Sequence, residues 1–238
     1  MNMHSAVAVT TVLLFAIPWS GPGTARAAGL DLQALTQETQ QMSRKPEAMT
    51  MVWWVPEEFW AASFAQAPGM SKAQADEFLR TVRPYTMLVV VDGTMGSFGG
   101  VTYKSEDYVR ANTRLLDAQG RSYAPRTNEE IDADTRNMLM MMKPVFANML
   151  GPTGQNMHFL LFPSQTQDGE PMARASGKGQ FTVRLDDADF TWRLPLDAVL
   201  PAKSCGECAR ACKGSWDFCP WCGTKLAGGS PARAEVKP

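Results

Sequence analysis

Histidine is the scarcest chemistry-bearing residue in this sequence. The 238 residues include two histidines, His4 and His158, so a catalytic triad with a histidine base has little to draw on. No H-E-x-x-H, G-x-S-x-G or Walker pattern occurs. His158 lies within the apolar run 156–162, which predicts a hydrogen-bonded core histidine rather than a ligand or a base. These absences favour a protein that is not an enzyme.

The sequence also lacks an excess of positive charge, and it has no long apolar run beyond the N-terminal segment. The chain has 23 Lys and Arg against 24 Asp and Glu, a formal net charge of −1. A nearly neutral chain with interspersed signs offers no basic surface, so we expect no nucleic-acid partner. Beyond the N-terminal segment, no stretch reaches the length of a transmembrane helix. We therefore expect no stable membrane span once that segment is removed.

The N-terminal segment has the pattern of a secretory signal. A mostly apolar run of 13 residues, Ser5 to Ile17, is followed by helix-breaking Pro18 and by Ala25-Arg26-Ala27, which fits an A-x-A cleavage site. The sequence predicts a signal peptide over 1–27, cleavage near Ala27/Ala28, and a periplasmic or secreted product. No Lys or Arg precedes the apolar run, so an uncleaved membrane anchor stays open as an alternative.

Cysteine is absent from the first 204 residues and is then concentrated in one short segment. Two C-x-x-C pairs, Cys205 with Cys208 and Cys219 with Cys222, are separated by ten residues. Each such turn places two sulfurs on one side of a tight loop, where both can lie about 2.3 Å from one metal ion. The spacing predicts a tetrahedral Zn²⁺ site with these four thiolates as ligands. Four cysteines leave no open position for catalysis.

Segment 203–226 resembles the zinc-ribbon family, whose metal-binding turns read C-P-x-C-G. The second turn, Cys219-Pro220-Trp221-Cys222-Gly223, matches that pattern fully. The first turn departs from it, since Gly206 stands in place of proline and Ala209 in place of glycine, so we expect a looser first turn. The resemblance implies a zinc-stapled unit that caps the rest of the chain or contacts a protein partner.

The same cysteines support two alternatives. In an oxidising compartment the four can form disulfides in three connectivities, which leaves Cys212 as a spare thiol. A thiol-disulfide enzyme or sensor would instead use one C-x-x-C pair together with Cys212. The spacing alone does not separate these alternatives from zinc.

Three further clusters have both a functional and a structural interpretation. Methionines suit Cu(I), whereas the spacing 138, 141, 142, 145 and 149 predicts the buried side of a helix. The aspartates fit either a Ca²⁺ turn or a solvated β-turn, and the tryptophans either line a ligand groove or pack a helical layer on a sheet. The residues are Met138, Met140, Met141, Met142, Met149 and Met157; Asp186, Asp187 and Asp189; and Trp53, Trp54 and Trp60.

Short β-prone runs separated by turn residues dominate the middle of the chain. The predicted strands cover 49–55, 85–91, 95–103, 113–117, 121–124, 156–162, 180–185 and 190–196. One predicted helix covers 30–42, and two more begin after Pro56 and after Ser71. A fourth predicted helix begins at Glu129, after an Asn128 cap, and extends to 150 with a break at Pro144. Residues 105–109 are predicted to be a connector. This pattern predicts an α+β fold, mostly an antiparallel β-sandwich of immunoglobulin-like proportions, with a small C-terminal zinc ribbon.

Changes in composition divide the chain into five parts. The sequence predicts a signal peptide at 1–27, a segment of helix and strand at 28–84, and a β-rich domain at 85–201. A zinc ribbon at 202–226 and a disordered tail at 227–238 complete the chain.

Overall fold

The computed structural model of the protein describes residues 30–227. The predicted signal peptide, and the predicted tail beyond residue 227, lie outside the described residues. The helices of the described part are α1 (Leu32–Thr39), α2 (Glu57–Gln66), α3 (Lys72–Val82), α4 (Glu106–Asn112), α5 (Ala133–Leu150) and α6 (Pro152–Gln155). The strands there are β1 (Gln40–Met42), β2 (Met51–Val55), β3 (Tyr85–Val91), β4 (Gly93–Met95), β5 (Val101–Tyr103), β6 (Thr113–Leu116), β7 (Ser122–Tyr123), β8 (His158–Pro163), β9 (Gly179–Leu185), β10 (Ala188–Leu194), β11 (Lys203–Ser204) and β12 (Ala211–Cys212).

The strands of residues 30–227 form four antiparallel sheets, none of which closes into a barrel. The first sheet has the order β1-β2-β3-β8 and the second the order β10-β9-β6-β7, while β4-β5 and β11-β12 are two-stranded. The predicted mixture of helix and antiparallel sheet is therefore confirmed. The first sheet takes strands from both sides of the predicted boundary at 84/85, because β2 pairs with β3 from Met51↔Val91 to Val55↔Met87.

Strand β3 is buried along most of its length, and its two faces contact different clusters of buried side chains. Because side chains alternate along a strand, Leu88 and Val90 share one face and Val89 and Val91 the other. The first pair belongs to a buried cluster that includes Phe181 of the second sheet. The second pair belongs to a cluster that includes side chains of α3 and α5. The two faces of β3 are thus covered by different buried clusters, which explains why β3 is apolar throughout.

Helix α3 begins where the sequence predicts it. The Ser71 hydroxyl accepts the Gln74 N–H at 3.2 Å, and the Gln74 side-chain oxygen accepts the Ser71 N–H at 2.9 Å. This reciprocal pair is a capping box, which satisfies two of the backbone donors that a helix start leaves free. The capping box expected at Ser71 is confirmed.

Helix α5 differs from its prediction at both the start and the break. Its N-terminal cap is Asp132 rather than Asn128, because the Asp132 carboxylate accepts the Thr135 N–H at 2.8 Å. The helix also continues through Pro144, which is exposed, so water can solvate the carbonyl that the missing N–H leaves free. At 18 residues α5 is the longest helix of residues 30–227, where no helix has both the length and the apolarity to cross a membrane.

Two other local predictions are wrong. The connector expected at 105–109 is helix α4, which Ser105 caps by accepting the Tyr108 N–H at 3.3 Å. Its single fully buried residue, Val109, gives too little periodicity to mark a helix. The strand expected at 95–103 is the hairpin β4-β5, because the N–H of Gly96 donates to the carbonyl of Gly100 at 2.7 Å and reverses the chain.

Candidate metal centre

Each C-x-x-C turn lies at the end of a short hairpin. Strands β11 and β12 pair through Lys203↔Cys212 and Ser204↔Ala211, which closes the loop that carries the first turn. An antiparallel bridge between Phe218 and Lys225 closes the loop that carries the second turn. Two hairpin tips are thereby brought together, as the sequence predicts for segment 203–226.

The four predicted ligand sulfurs converge on one point. All four lie within 4.8 Å of one another, with Sγ–Sγ separations of 3.5 Å for Cys205–Cys222, 3.6 Å for Cys208–Cys219 and 3.6 Å for Cys208–Cys222. Sulfurs bound to one tetrahedral ion at about 2.3 Å are separated by about 3.8 Å, whereas a disulfide requires about 2.05 Å. The geometry fits a shared metal ion, and all five cysteines are free thiols.

The two turns have the same backbone conformation despite their different sequences. The Ala209 N–H donates to the Cys205 carbonyl at 2.9 Å, and the Gly223 N–H donates to the Cys219 carbonyl at the same distance. Ala209 has φ 56° and Gly223 has φ 74°, both in the left-handed region. The looser first turn expected from the sequence is therefore wrong, since Ala209 adopts the conformation for which the family pattern uses glycine.

Hydrogen bonding and the proximity of the thiols to one another give the four cysteines different pKa values. Burial raises the pKa of Cys219, but the backbone N–H groups of Trp221 and Cys222 outweigh it and hold that pKa at about 6. The backbone N–H of Arg210 lowers the pKa of Cys208, but burial and the neighbouring thiols outweigh it and raise that pKa to about 12. A cation that binds here must displace the remaining protons, so we expect metal affinity to rise with pH.

The cationic side chains of the ribbon contact aromatic rings, a backbone carbonyl and a carboxylate. The Arg210 guanidinium lies 5.4 Å from the ring centroid of Trp221. Lys203 Nζ donates to the Trp216 carbonyl at 2.8 Å, and Lys213 contacts a carboxylate of the preceding segment. These contacts stabilise the ribbon and its junction with the preceding segment, and none of them is made to a sulfur.

The apolar support of the centre is small. Its buried cluster consists of Cys205, Cys212, Cys219 and Leu226, with Trp216 packed against it. Two other large apolar side chains of the segment, Trp221 and Phe218, are 51% and 59% exposed. Cys212 is 4% exposed and lies outside the four-sulfur group, and burial raises the pKa of its thiol. Cys212 thus packs as a small apolar side chain.

Asp197 connects the ribbon to the rest of the protein. Its Oδ1 accepts the Ser215 N–H at 3.1 Å and the Ser215 hydroxyl at 2.5 Å, and its Oδ2 lies 3.0 Å from Lys213 Nζ. Burial raises the pKa of Asp197, but these partners outweigh it and lower that pKa. The next residue, Ala198, donates its N–H to Glu38 of α1 at 3.3 Å. Sequence reasoning missed Asp197 because Ser215 lies 18 positions away.

The predicted methionine cluster does not converge. Met138 is 8% exposed, whereas Met140 and Met141 are 65% and 69% exposed, so they lie on different sides of α5. The expected buried register through Met141 and Val145 is wrong, since Val145 is 45% exposed. The helix packs instead through Thr135, Met138, Leu139 and Met142. Met157 is buried, and the Met149 side chain is outside the described part.

The aspartates of the β9-β10 turn each have a different partner. Asp187 bonds Lys45, Asp189 bonds Arg184, and Asp186 accepts the Tyr108 hydroxyl. These contacts favour the solvated-turn interpretation over Ca²⁺. In residues 30–227, the four cysteines are the one group of three or more His, Cys, Asp or Glu side chains placed to share an ion.

His158 and the tryptophans follow their structural interpretations. His158 is 5% exposed and its Nε2 donates to the Lys104 carbonyl at 3.2 Å. Trp54 is 1% exposed and packs edge-on against Phe181 with centroids 4.9 Å apart. Trp60 packs among the aromatic side chains of α2 and α3. His158 and Trp54 are thus buried, whereas Trp60 is partly exposed and, together with Trp54, lines a cavity of about 460 Å³.

Comparison of the chain with known protein families, with curated proteins and with solved structures finds no match. The class of site is therefore defined by the cysteine geometry alone: a four-sulfur centre compatible with a metal ion.

Proposed function

We propose that the protein is an exported zinc-binding protein of the zinc-ribbon type, which acts by binding or assembly rather than by catalysis. The observation that carries the proposal is the convergence of Cys205, Cys208, Cys219 and Cys222 within 4.8 Å. Zn²⁺ accepts four thiolates in tetrahedral structural sites, and four protein ligands leave no position for water or substrate. The zinc in this proposal is structural.

The segment needs such an ion to fold. Among the described residues, its buried cluster contains three cysteines and one larger apolar residue, Leu226. A core of that size cannot offset the conformational entropy of some twenty residues, so small units of this kind depend on a metal or disulfides. Metal binding would then supply the folding free energy of the ribbon directly.

The surface of the ribbon supports a protein partner. Trp221 and Phe218 are about half exposed, and Arg210 lies over the Trp221 ring. Aromatic and arginine side chains are enriched where proteins bind one another and carry much of the binding energy. In this proposal the zinc fixes the turn that presents Trp221, and the partner contacts that face.

The body that carries the ribbon is, in this proposal, a sandwich of the two four-stranded sheets. Its support is the shared buried cluster in which Leu88 and Trp54 of the first sheet meet Phe181 and Trp192 of the second. Export rests on the sequence pattern of 1–27, which places the product in the periplasm or outside the cell.

Metal analysis of the full chain tests the proposal. We expect about one zinc per chain by mass spectrometry of the purified protein, and loss of that zinc in Cys219→Ser. Cys212→Ser is the matched control, because Cys212 lies outside the four-sulfur group, and it should keep its zinc. A wild-type chain that carries no zinc, or whose mass shows the four cysteines joined as disulfides, would overturn the proposal.

A further inference from the structure

A pocket of about 550 Å³ lies between α4, α5 and β8, away from the cysteines. One part of its lining is apolar and consists of Ile131, Leu139, Met140 and Phe159. Ile131 and Phe159 are 4% and 8% exposed, while Met140 at 65% lies at the rim. The volume and the apolar wall are those of a small-molecule site.

The remaining charged side chains of the lining carry an excess of positive charge. Glu106 is the one carboxylate of the lining, and it is already engaged by Lys143 Nζ at 2.8 Å and by Arg110 Nη2 at 3.4 Å. Arg136 donates to the backbone carbonyls of Asn128, at 2.7 Å, and of Ile131, which are neutral acceptors. Three cations thus face one anion.

No carboxylate in residues 30–227 accepts a hydrogen bond from Arg136. The nearby Glu129 is exposed, so water screens its attraction for the guanidinium. The Arg136 charge therefore remains available to a ligand.

His158 adds a buried polar atom beside the pocket. Its Nε2 donates a hydrogen bond to the Lys104 carbonyl. Its Nδ1 has no hydrogen-bond partner in the described part of the chain and lies 3.9 Å from the Glu106 carboxylate. The proximity of His158, and then of Lys143, outweighs burial and holds the pKa of Glu106 well below its usual range. Glu106 is thus ionised and matched, and the unmatched charge of the pocket is positive.

We propose that this pocket binds a small organic anion that carries an apolar group. The negative head would lie against Arg136, where charge-assisted hydrogen bonds are available, and the apolar part against Leu139 and Met140. An inorganic anion would make no use of Leu139 and Met140 in the lining, and an apolar cation would meet like charge. The class of ligand is therefore an amphiphilic carboxylate or sulfonate.

Calorimetric titration of the full chain with three eight-carbon probes tests this proposal. We expect octanoate to bind at a single site at least about tenfold more tightly than 1-octanol, since a charge-assisted hydrogen bond is worth about a factor of ten or more. Octylammonium should not bind. Equal binding of the three probes, or binding of none, would overturn the proposal.

Two variants separate the pocket from general attraction to the surface. Arg136→Gln should weaken octanoate binding about tenfold or more, and Met140→Asp should weaken it by placing a negative charge at the rim. Arg136 bonds two backbone carbonyls and its loss can disturb folding, whereas Met140 is exposed, so the second variant keeps the test decisive. Arg193→Gln makes the same charge change on β10, outside the pocket, and should bind as the wild type does. Wild-type affinity in both pocket variants would refute the site.

Discussion

Ala209 has the backbone conformation of a glycine. Its φ of 56° corresponds to the 74° of Gly223 at the equivalent position of the second turn. An L-residue in this region is disfavoured by about 1 kcal/mol or more relative to glycine. The hydrogen bond from the Ala209 N–H to the Cys205 carbonyl holds the turn in this conformation.

Exchanging alanine and glycine between the turns should therefore move zinc affinity in opposite directions. Ala209→Gly should strengthen binding and Gly223→Ala should weaken it, each by about 0.5–1 kcal/mol once the flexibility of glycine in the unfolded chain is counted. A Cβ at position 223 would meet no atom within 4 Å, so that change is purely conformational. Competition with a chromophoric chelator at fixed pH measures both. Shifts of the same sign would contradict the strain at Ala209.

The convergence of the four cysteines could be predicted from the sequence, because C-x-x-C spacing itself forces two sulfurs onto one side of a loop. The contacts of Asp197 could not be predicted, since Ser215 lies 18 positions further along the chain, beyond the first C-x-x-C turn. The sequence shows that Ala209 departs from the family pattern, but the conformation of Ala209 depends on a hydrogen bond that the pattern does not encode.

Among the helices, α5 shows why a helix boundary is harder to predict than the convergence of the four cysteines. Asn128 and Asp132 are both good capping residues, and the sequence alone favours neither. The structure selects Asp132 because its Oδ2 also accepts the hydroxyl of Tyr85, a residue of β3, at 2.9 Å. Tertiary contact, rather than local preference, decides where the helix begins.

Removing the cap should destabilise the body. Asp132→Ala should lower the free energy of unfolding by about 1–2 kcal/mol, because Thr135 loses its acceptor. Asn128→Ala removes the capping residue that the structure does not use, and it should change stability by less than about 0.5 kcal/mol. Urea unfolding followed by far-ultraviolet circular dichroism measures both. Equal losses in the two variants would refute the assignment of the cap.

The contribution of the same cap should depend on pH in a defined direction. Burial raises the pKa of Asp132, but the hydroxyl and N–H of Thr135 and the hydroxyl of Tyr85 outweigh it, so the pKa in the folded state is lowered. A group with a lowered pKa stabilises above the unfolded-state value of about 3.9 and loses that contribution as pH falls through the folded-state value. The stability difference between wild type and Asp132→Asn should shrink below about pH 4. A difference that grows with acidity would contradict this sign.

The turn after β12 packs against the segment that leads from the body into the ribbon, and it leaves no room at Gly214. A Cβ there would lie 2.4 Å from the Leu200 Cβ and 2.7 Å from the Pro201 carbonyl oxygen. Gly214→Ala should therefore move the ribbon away from the body and cost about 1–3 kcal/mol. Gly206→Ala, where a Cβ meets no atom within 4 Å, is the matched control. Faster proteolysis between 201 and 214 in Gly214→Ala alone is the expected result, and equal cleavage of both variants would contradict it.

For the fold of the whole molecule, the sequence predicts local hairpins but not the order of the strands within a sheet. The β6-β7 and β9-β10 hairpins follow from short turns, and the apolar run of β3 requires cover on both faces. The order β1-β2-β3-β8 could not be predicted, because β8 joins β3 across more than sixty intervening residues. Which faces meet is settled by packing of the assembled layers rather than by any one segment.

At this scale the protein consists of a body with its own apolar core and a ribbon that, under the proposed function, depends on a shared ion. Zinc K-edge X-ray absorption of the purified full chain tests that dependence most directly, because it reports the atoms bound to the metal. The account predicts a single shell of four sulfur ligands at about 2.3 Å, with no nitrogen or oxygen neighbour. A shell containing lighter atoms, or a protein without zinc, would contradict it.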